Sequence, residues 1–121
     1  MKTSELIDEK LDWAVAKCEG IALVIAPFTG AKNFVILGQN MKPTSSTYEP
    51  SKYWAQGGPI IERERIAVKC SSDATVWIAS QYWACADTPK ISEGPTPLIA
   101  AMRCYVASKL GDEIEIPKDL T

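Results

Sequence analysis

The stretch Thr96-Pro97-Leu98-Ile99-Ala100-Ala101-Met102-Arg103-Cys104-Tyr105-Val106-Ala107-Ser108-Lys109-Leu110-Gly111 decides the fold, because it carries its own start and stop signals. Thr96 is a good N-cap, and Pro97 suits the first helical turn, where its missing N–H costs nothing. Gly111 lies just past the end, where a helix leaves by a conformation that glycine tolerates. Between them Leu98, Ile99, Met102, Tyr105, Val106 and Leu110 form a wide apolar stripe. Such a helix must be covered by a sheet or by other helices.

Working back from it, Asp87-Thr88-Pro89-Lys90 and Ser92-Glu93-Gly94-Pro95 read as a loop. Before that come two β-prone runs, Ile66–Cys70 and Thr75–Trp83, joined by a Ser71-Ser72-Asp73 turn. Pro59 is placed to open a short helix, Ile60 to Glu64. From Gly38 to Gly58 no periodicity appears, and the segment is expected to be a long loop of the kind that is often functional. Further back, Ile21–Ala26 and Asn33–Leu37 form a hairpin around Pro27 and Gly30. A first helix, capped by Thr3 or Ser4, repeats Leu6, Ile7, Leu11, Ala14, Val15 and Cys18 at helical spacing and ends at Gly20. Beyond the deciding helix, Glu113-Ile114-Glu115-Ile116 alternates like a last strand. Hairpins rather than βαβ crossovers predict an α+β fold. The expectation is a single domain over residues 1–121. It has a mostly antiparallel sheet of four to five strands, with an N-terminal and a C-terminal helix packed on it.

Composition narrows the chemistry. At 121 residues the chain can bury enough surface to fold without a metal or disulfide. It has no histidine, which removes the commonest metal ligand and the easiest proton-transfer group. The four cysteines, Cys18, Cys70, Cys85 and Cys104, form no short-spaced pair, so a zinc site is not expected. Cys18 and Cys104 fall in helical patterns as small hydrophobes. The net charge of −2 argues against a protein devoted to nucleic-acid backbones. No signal peptide is read at the start, and the longest apolar run, Ile21 to Phe28, is too short to span a bilayer. These features read as a soluble cytosolic protein.

The richest binding inventory is Tyr53-Trp54-Ala55-Gln56-Gly57-Gly58-Pro59-Ile60-Ile61-Glu62-Arg63-Glu64-Arg65. Gly57-Gly58-Pro59 ahead of a helix would aim N–H groups at an anion. Arg63 and Arg65 would add bidentate contacts, and Tyr53 or Trp54 would stack on a ring. The candidate ligand-binding residues are therefore Tyr53, Trp54, Gln56, Gly57, Gly58, Arg63, Arg65 and Arg103. A plainer reading stands beside this one. In it Gly57-Gly58-Pro59 is only a turn, Trp54 and Ile60 plug the core, and residues 62–65 are a solvated charged face. Arg103 would then face solvent between apolar neighbours. Trp77, Tyr82 and Trp83 read as core. Trp13 lies off the first helix's stripe and is a candidate for a subunit or partner contact, with packing within the chain the favoured alternative. The acids Glu62, Glu64, Asp73 and Asp87 show no spacing that selects an acid–base pair. No enzyme activity, cofactor or metal is called for.

Three blocks resemble the NinX family of lambdoid-type phages and prophages. They are Met1–Leu6 with Leu11–Gly20, then Trp54–Glu64, then Gly94–Gly111. Family members often carry Ser-Thr-Asp ahead of the tryptophan, where this chain has Ser51-Lys52-Tyr53. They often have a glycine after the Glu-Arg-Glu, where this chain has Arg65. The resemblance implies a small accessory protein encoded with phage early genes and working in the bacterial host cytoplasm. It implies no activity, because the family is one of unknown function. The expectation drawn from residues and resemblance together is a non-enzymatic binding protein and a homo-oligomer. It would capture a small anionic, nucleotide-like molecule such as a host immune signal. The alternatives are a module that docks on a host enzyme, and a single-stranded nucleic-acid-binding accessory protein.

Overall fold

The computed structural model describes residues 1–21, 23–25, 34–37, 43–81 and 90–116. After a 3-10 turn at Thr3–Glu5, the order is α1 (Asp8–Glu19), β1 (Leu23–Ile25), β2 (Phe34–Leu37), β3 (Pro43–Thr47), α2 (Trp54–Glu64), β4 (Ala67–Cys70), β5 (Trp77–Gln81), β6 (Lys90–Gly94) and α3 (Pro97–Leu110). The fold is α+β, as read from the sequence. Its described strands form two antiparallel sheets of three, ordered β1-β2-β3 and β4-β5-β6, rather than one sheet of four to five.

The deciding helix forms as its signals require. The Ile99 N–H donates to Thr96 Oγ1 at 3.1 Å, and Gly111 N–H closes on Ala107 O at 3.0 Å. Its covered surface is wider than the stripe. Every residue from Leu98 to Ala107 except Arg103 is buried, because α3 packs on β4, β5 and β6 and also meets α1 and α2. Gly94, at the end of β6, makes the close approach of sheet to helix possible. A Cβ there would fall 2.7 Å from Ala100 N.

The first helix starts later than its sequence suggests. Thr3 does not cap it: that side chain is buried and its hydroxyl donates to Gly111 O at 2.7 Å. Gly20 ends α1 at φ 71°, in the left-handed region that glycine tolerates. The hairpin of β1 and β2 is present, with Val24 opposite Val35. β3 lies inside the segment expected to be a loop. β6 likewise replaces a loop, because Gly94-Pro95 marks the end of a strand and not its absence. Tyr82 and Trp83 lie outside the described residues.

Residues 113–116 do not make a strand. They give one bridge, Lys2 to Glu113, within a clasp that joins the two ends. In that clasp the Met1 amino group donates to Ile114 O at 2.9 Å, Ile114 N–H to Met1 O at 3.0 Å, and Thr3 N–H to Asp112 O at 2.8 Å.

Candidate functional site

Seven of the eight candidate residues lie on α2 or at its two ends. The helix begins at Trp54, so Gly57-Gly58-Pro59 is helical and not a turn. Both readings of the motif need this correction. The N–H groups of Gln56 and Gly57 donate to Tyr53 O at 3.0 and 2.9 Å, so they are not aimed at an anion. Pro59 lacks the N–H that would reach Ala55. Both residues are exposed, on a side where water can replace the lost bond.

Local propensity would break the chain here, but packing overrules it. Gly57 is buried, and a Cβ on it would lie 2.5 Å from Pro50 O and 2.7 Å from Leu98 Cδ2. Only a glycine lets α2 sit this close to the preceding turn and to α3. Gly58 meets nothing nearer than Trp54 Cε3 at 3.9 Å. Gln56 Oε1 accepts from Glu49 N–H at 2.6 Å, which ties the helix back onto that turn.

The two ends of α2 differ in kind. At its start Tyr53 and Trp54 are 53% and 56% exposed. Trp54 is therefore not a core plug, although Ile60 is. Lys52 precedes them, its Nζ 4.0 Å from Asp8 Oδ1 at the start of α1 and 3.8 Å from Glu49 Oε1. Ile7, just ahead of Asp8, is a further exposed apolar side chain.

At the other end Arg63 is fully engaged. Its guanidinium donates to Glu19 Oε1 at 3.0 Å and Glu19 Oε2 at 2.7 Å, and its Nε donates to Glu64 Oε2 at 3.0 Å. Tyr105 OH also donates to Glu19 Oε2, at 2.7 Å. Lys109 Nζ lies 3.4 Å from Glu64 Oε1. Burial pushes the Glu19 carboxyl up, but the hydrogen bonds from Arg63 and Tyr105 outweigh it and leave the pKa below the ordinary value. The same bonds, to Glu19 first and Glu64 second, raise Arg63. Residues 62–65 are thus not a uniform solvated face: Glu64 is buried and Arg63 joins α1, α2 and α3.

Arg65 is exposed and ends the helix at φ 55°, in the left-handed region. Arg103 is elsewhere, neither facing solvent freely nor reaching α2. Its Nε donates to Leu6 O at 2.7 Å and its Nη1 to Glu93 O at 2.8 Å, joining the N-terminal segment to β6. Burial lowers its pKa. It lines an open concavity of about 530 Å³ beside β6, together with Ser4, Thr75, Ile91, Glu93 and Gly94. Trp77, expected in the core, is partly exposed at 36%. Trp13 is half-buried against the core, with Lys17 Nζ 5.3 Å from its ring centroid.

One buried acid was not legible as a site residue. Asp12 is 2% exposed on α1, and its Oδ1 accepts from Ser51 N–H at 3.0 Å. Desolvation raises its pKa to about 6, against the partial opposition of the hydrogen bond from Ser51 N–H. A hint existed in Asp12 lying one position from Leu11, inside the apolar helix face. The thiols of Cys18 and Cys104 are pushed up to about 11 by burial, as befits inert packing groups. Among the described residues no three Cys, Asp or Glu side chains group as a metal site. No described helix is long and apolar enough to cross a membrane.

The blocks that resemble NinX proteins thus include the α2 helix, the clasped N-terminal segment and the buried α3. Among curated proteins none matches the chain. The family model described as "Bacteriophage P22, NinX" matches residues 2–109, and the chain belongs to that family.

Proposed function

We propose that this NinX-family chain is a non-enzymatic phage accessory protein of the bacterial cytoplasm that docks on a partner protein through the start of α2. The observation that carries the reading is the pair of exposed aromatics, Tyr53 and Trp54, on a helix whose far end is locked. Large aromatics on a rigid support are what interface hot spots are made of, because little side-chain entropy is lost when they are covered. A host enzyme is the class of partner favoured by the phage context. The absence of histidine supports a binding role over an acid–base catalyst.

A second reading is capture of a small anionic, nucleotide-like molecule at the same place. The start of α2 has no side-chain cap, and Lys52 and two ring faces stand beside it. It ranks second because Arg63 and Arg103 are spent on internal acceptors.

The test is recovery of a stoichiometric partner from infected cells with wild-type protein and with Tyr53→Ala/Trp54→Ala, followed by titration of the purified partner. Docking predicts at least a tenfold weaker Kd for the variant at unchanged melting temperature. Equal affinity of the two proteins would remove the docking reading. A nucleotide or cyclic dinucleotide that raises the wild-type melting temperature by several degrees, but not the variant's, would establish the second.

A further inference from the structure

The turn that leads into α2 buries Tyr48, Pro50 and Ser51, and its Lys52 Nζ lies 4.0 Å from Asp8 Oδ1 on α1. Glu49 O accepts from both Lys52 N–H and Tyr53 N–H at 3.0 Å, which shapes the turn itself. Pro50 is fully buried and sits against Gly57. Among the described residues the hydrogen bond that carries the turn across to α1 is the one from Ser51 N–H to Asp12 Oδ1, between residues 39 apart in sequence. Its acceptor is a carboxyl group almost completely removed from water, and the Ser51 hydroxyl beside it is also buried. An uncharged acid is at ease in such a place. A carboxylate there gives up hydration and recovers only part of it from Ser51.

We propose that Asp12 is a proton-operated latch on the 49–53 turn: protonated, it holds the turn shut on α1, and ionised, it lets the turn lift, carrying Tyr53 and Trp54 with it. This rests on the docking reading only for its biological use. The groups that face Asp12 are Glu49 and Lys52 on the turn and Tyr48 just before it, with Asp8 one turn back on α1 facing Lys52. Glu49 opposes the Asp12 charge, and Lys52 favours it while being shared with Glu49 and Asp8.

The direction follows from linkage. The closed turn binds the Asp12 proton more tightly, with a pKa near 6, than an open turn would at the ordinary 3.8. Closure is therefore firmest at low pH and weakens as pH rises toward and through about 6. Above that the loss is complete, and it amounts to as much as about a hundredfold in the closing equilibrium, two decades for two pH units.

The test is amide hydrogen exchange at Ser51 by NMR between pH 5 and 8, corrected for the intrinsic rate, in wild type and Asp12→Asn. Asparagine keeps an acceptor oxygen and cannot ionise. The expected result is protection that falls about tenfold from pH 5 to pH 8 in wild type and stays flat in the variant. Equal pH dependence in the two proteins, or none in wild type, overturns the latch. A ¹³C titration of the Asp12 carboxyl in wild type gives a check that needs no variant: a midpoint near 4 also overturns it. The two readings fail separately. A latch that titrates while Tyr53→Ala/Trp54→Ala leaves partner affinity intact removes docking and leaves the latch. A flat titration with lost affinity does the reverse.

Discussion

The two ends of α2 show opposite ways of using charge. At the C-terminal end Glu19, Arg63, Glu64, Tyr105 and Lys109 from three helices join in one network of hydrogen bonds and ion pairs, in which the buried Glu64 Oε1 faces the Lys109 ammonium at 3.4 Å without a hydrogen bond. At the N-terminal end a buried carboxyl, Asp12, has one backbone partner from the turn, and the aromatics beyond it face solvent. A network of matched charges fixes a helix, whereas a lone buried acid leaves its neighbour adjustable. One rigid end can thus serve as the base from which the other is presented.

The largest way to break this contrast is to push α2 off its seat. Gly57→Ala would drive a methyl into Pro50 O and Leu98, and is expected to cost about 3 kcal/mol or more in urea unfolding. Gly58→Ala, one residue on and in ordinary contact with Trp54 Cε3, is its control and should cost far less, the gain in helix propensity being offset by a Cβ placed ahead of Pro59. Equal effects at the two glycines would refute the close approach.

Next comes the locked end. Glu19→Gln leaves Arg63 and Tyr105 without their charged partner, and is expected to cost about 1–2 kcal/mol at pH 7, limited by the half-exposed Arg63 side chain. Because the folded pKa of Glu19 is depressed, this stabilisation is present above the ordinary carboxylate range. It fades as pH falls through the folded value, so wild type and variant should converge in acid. A deficit that persists unchanged at low pH would show that shape, and not charge, holds the end.

A gain is expected at Arg65. It occupies a left-handed helix end, a conformation that costs a non-glycine residue about 1 kcal/mol. Arg65→Gly should recover roughly that amount. Loss of stability instead would mean that the side chain makes a compensating contact. The smallest stability effect is expected at the free end: Trp54→Ser should change unfolding by less than about 0.5 kcal/mol, since an exposed ring holds little of the core. A larger loss would make Trp54 structural.

What could be read in the sequence was what local chemistry decides. Thr96, Pro97 and Gly111 mark the bounds of α3 because capping acts within a turn of the residue concerned. The β1–β2 hairpin is marked by its apolar runs. Gly57-Gly58-Pro59 misleads because a tertiary close approach needs the glycine and outweighs the breaking tendency of the sequence around it. Lys90–Gly94 misleads because a glycine and a proline at a strand's end look like the middle of a loop. The division into two sheets depends on long-range pairing that no local pattern carries. The candidate segment stands out in the sequence by its aromatics and arginines. The engagement of Arg63 and Arg103 does not, since their partners Glu19 and Leu6 lie on distant parts of the chain. Asp12 was not singled out, because its hydrogen-bond partner Ser51 lies 39 residues away in sequence.

The clasp between Met1–Thr3 and Gly111–Ile114 bears on how the protein is made. Helix α1 emerges from the ribosome well before α3, with Leu11, Ala14 and Val15 ready to be buried. α3, which it packs against, and the 111–114 partner segment emerge about a hundred residues later, after several seconds at ordinary synthesis rates. Native contacts of such long sequence separation also close slowly. The nascent chain therefore exposes this apolar face until α3 has emerged. Yield in cells should depend on the supply of chaperones that shield an emerging helix more than on the stability of the finished domain.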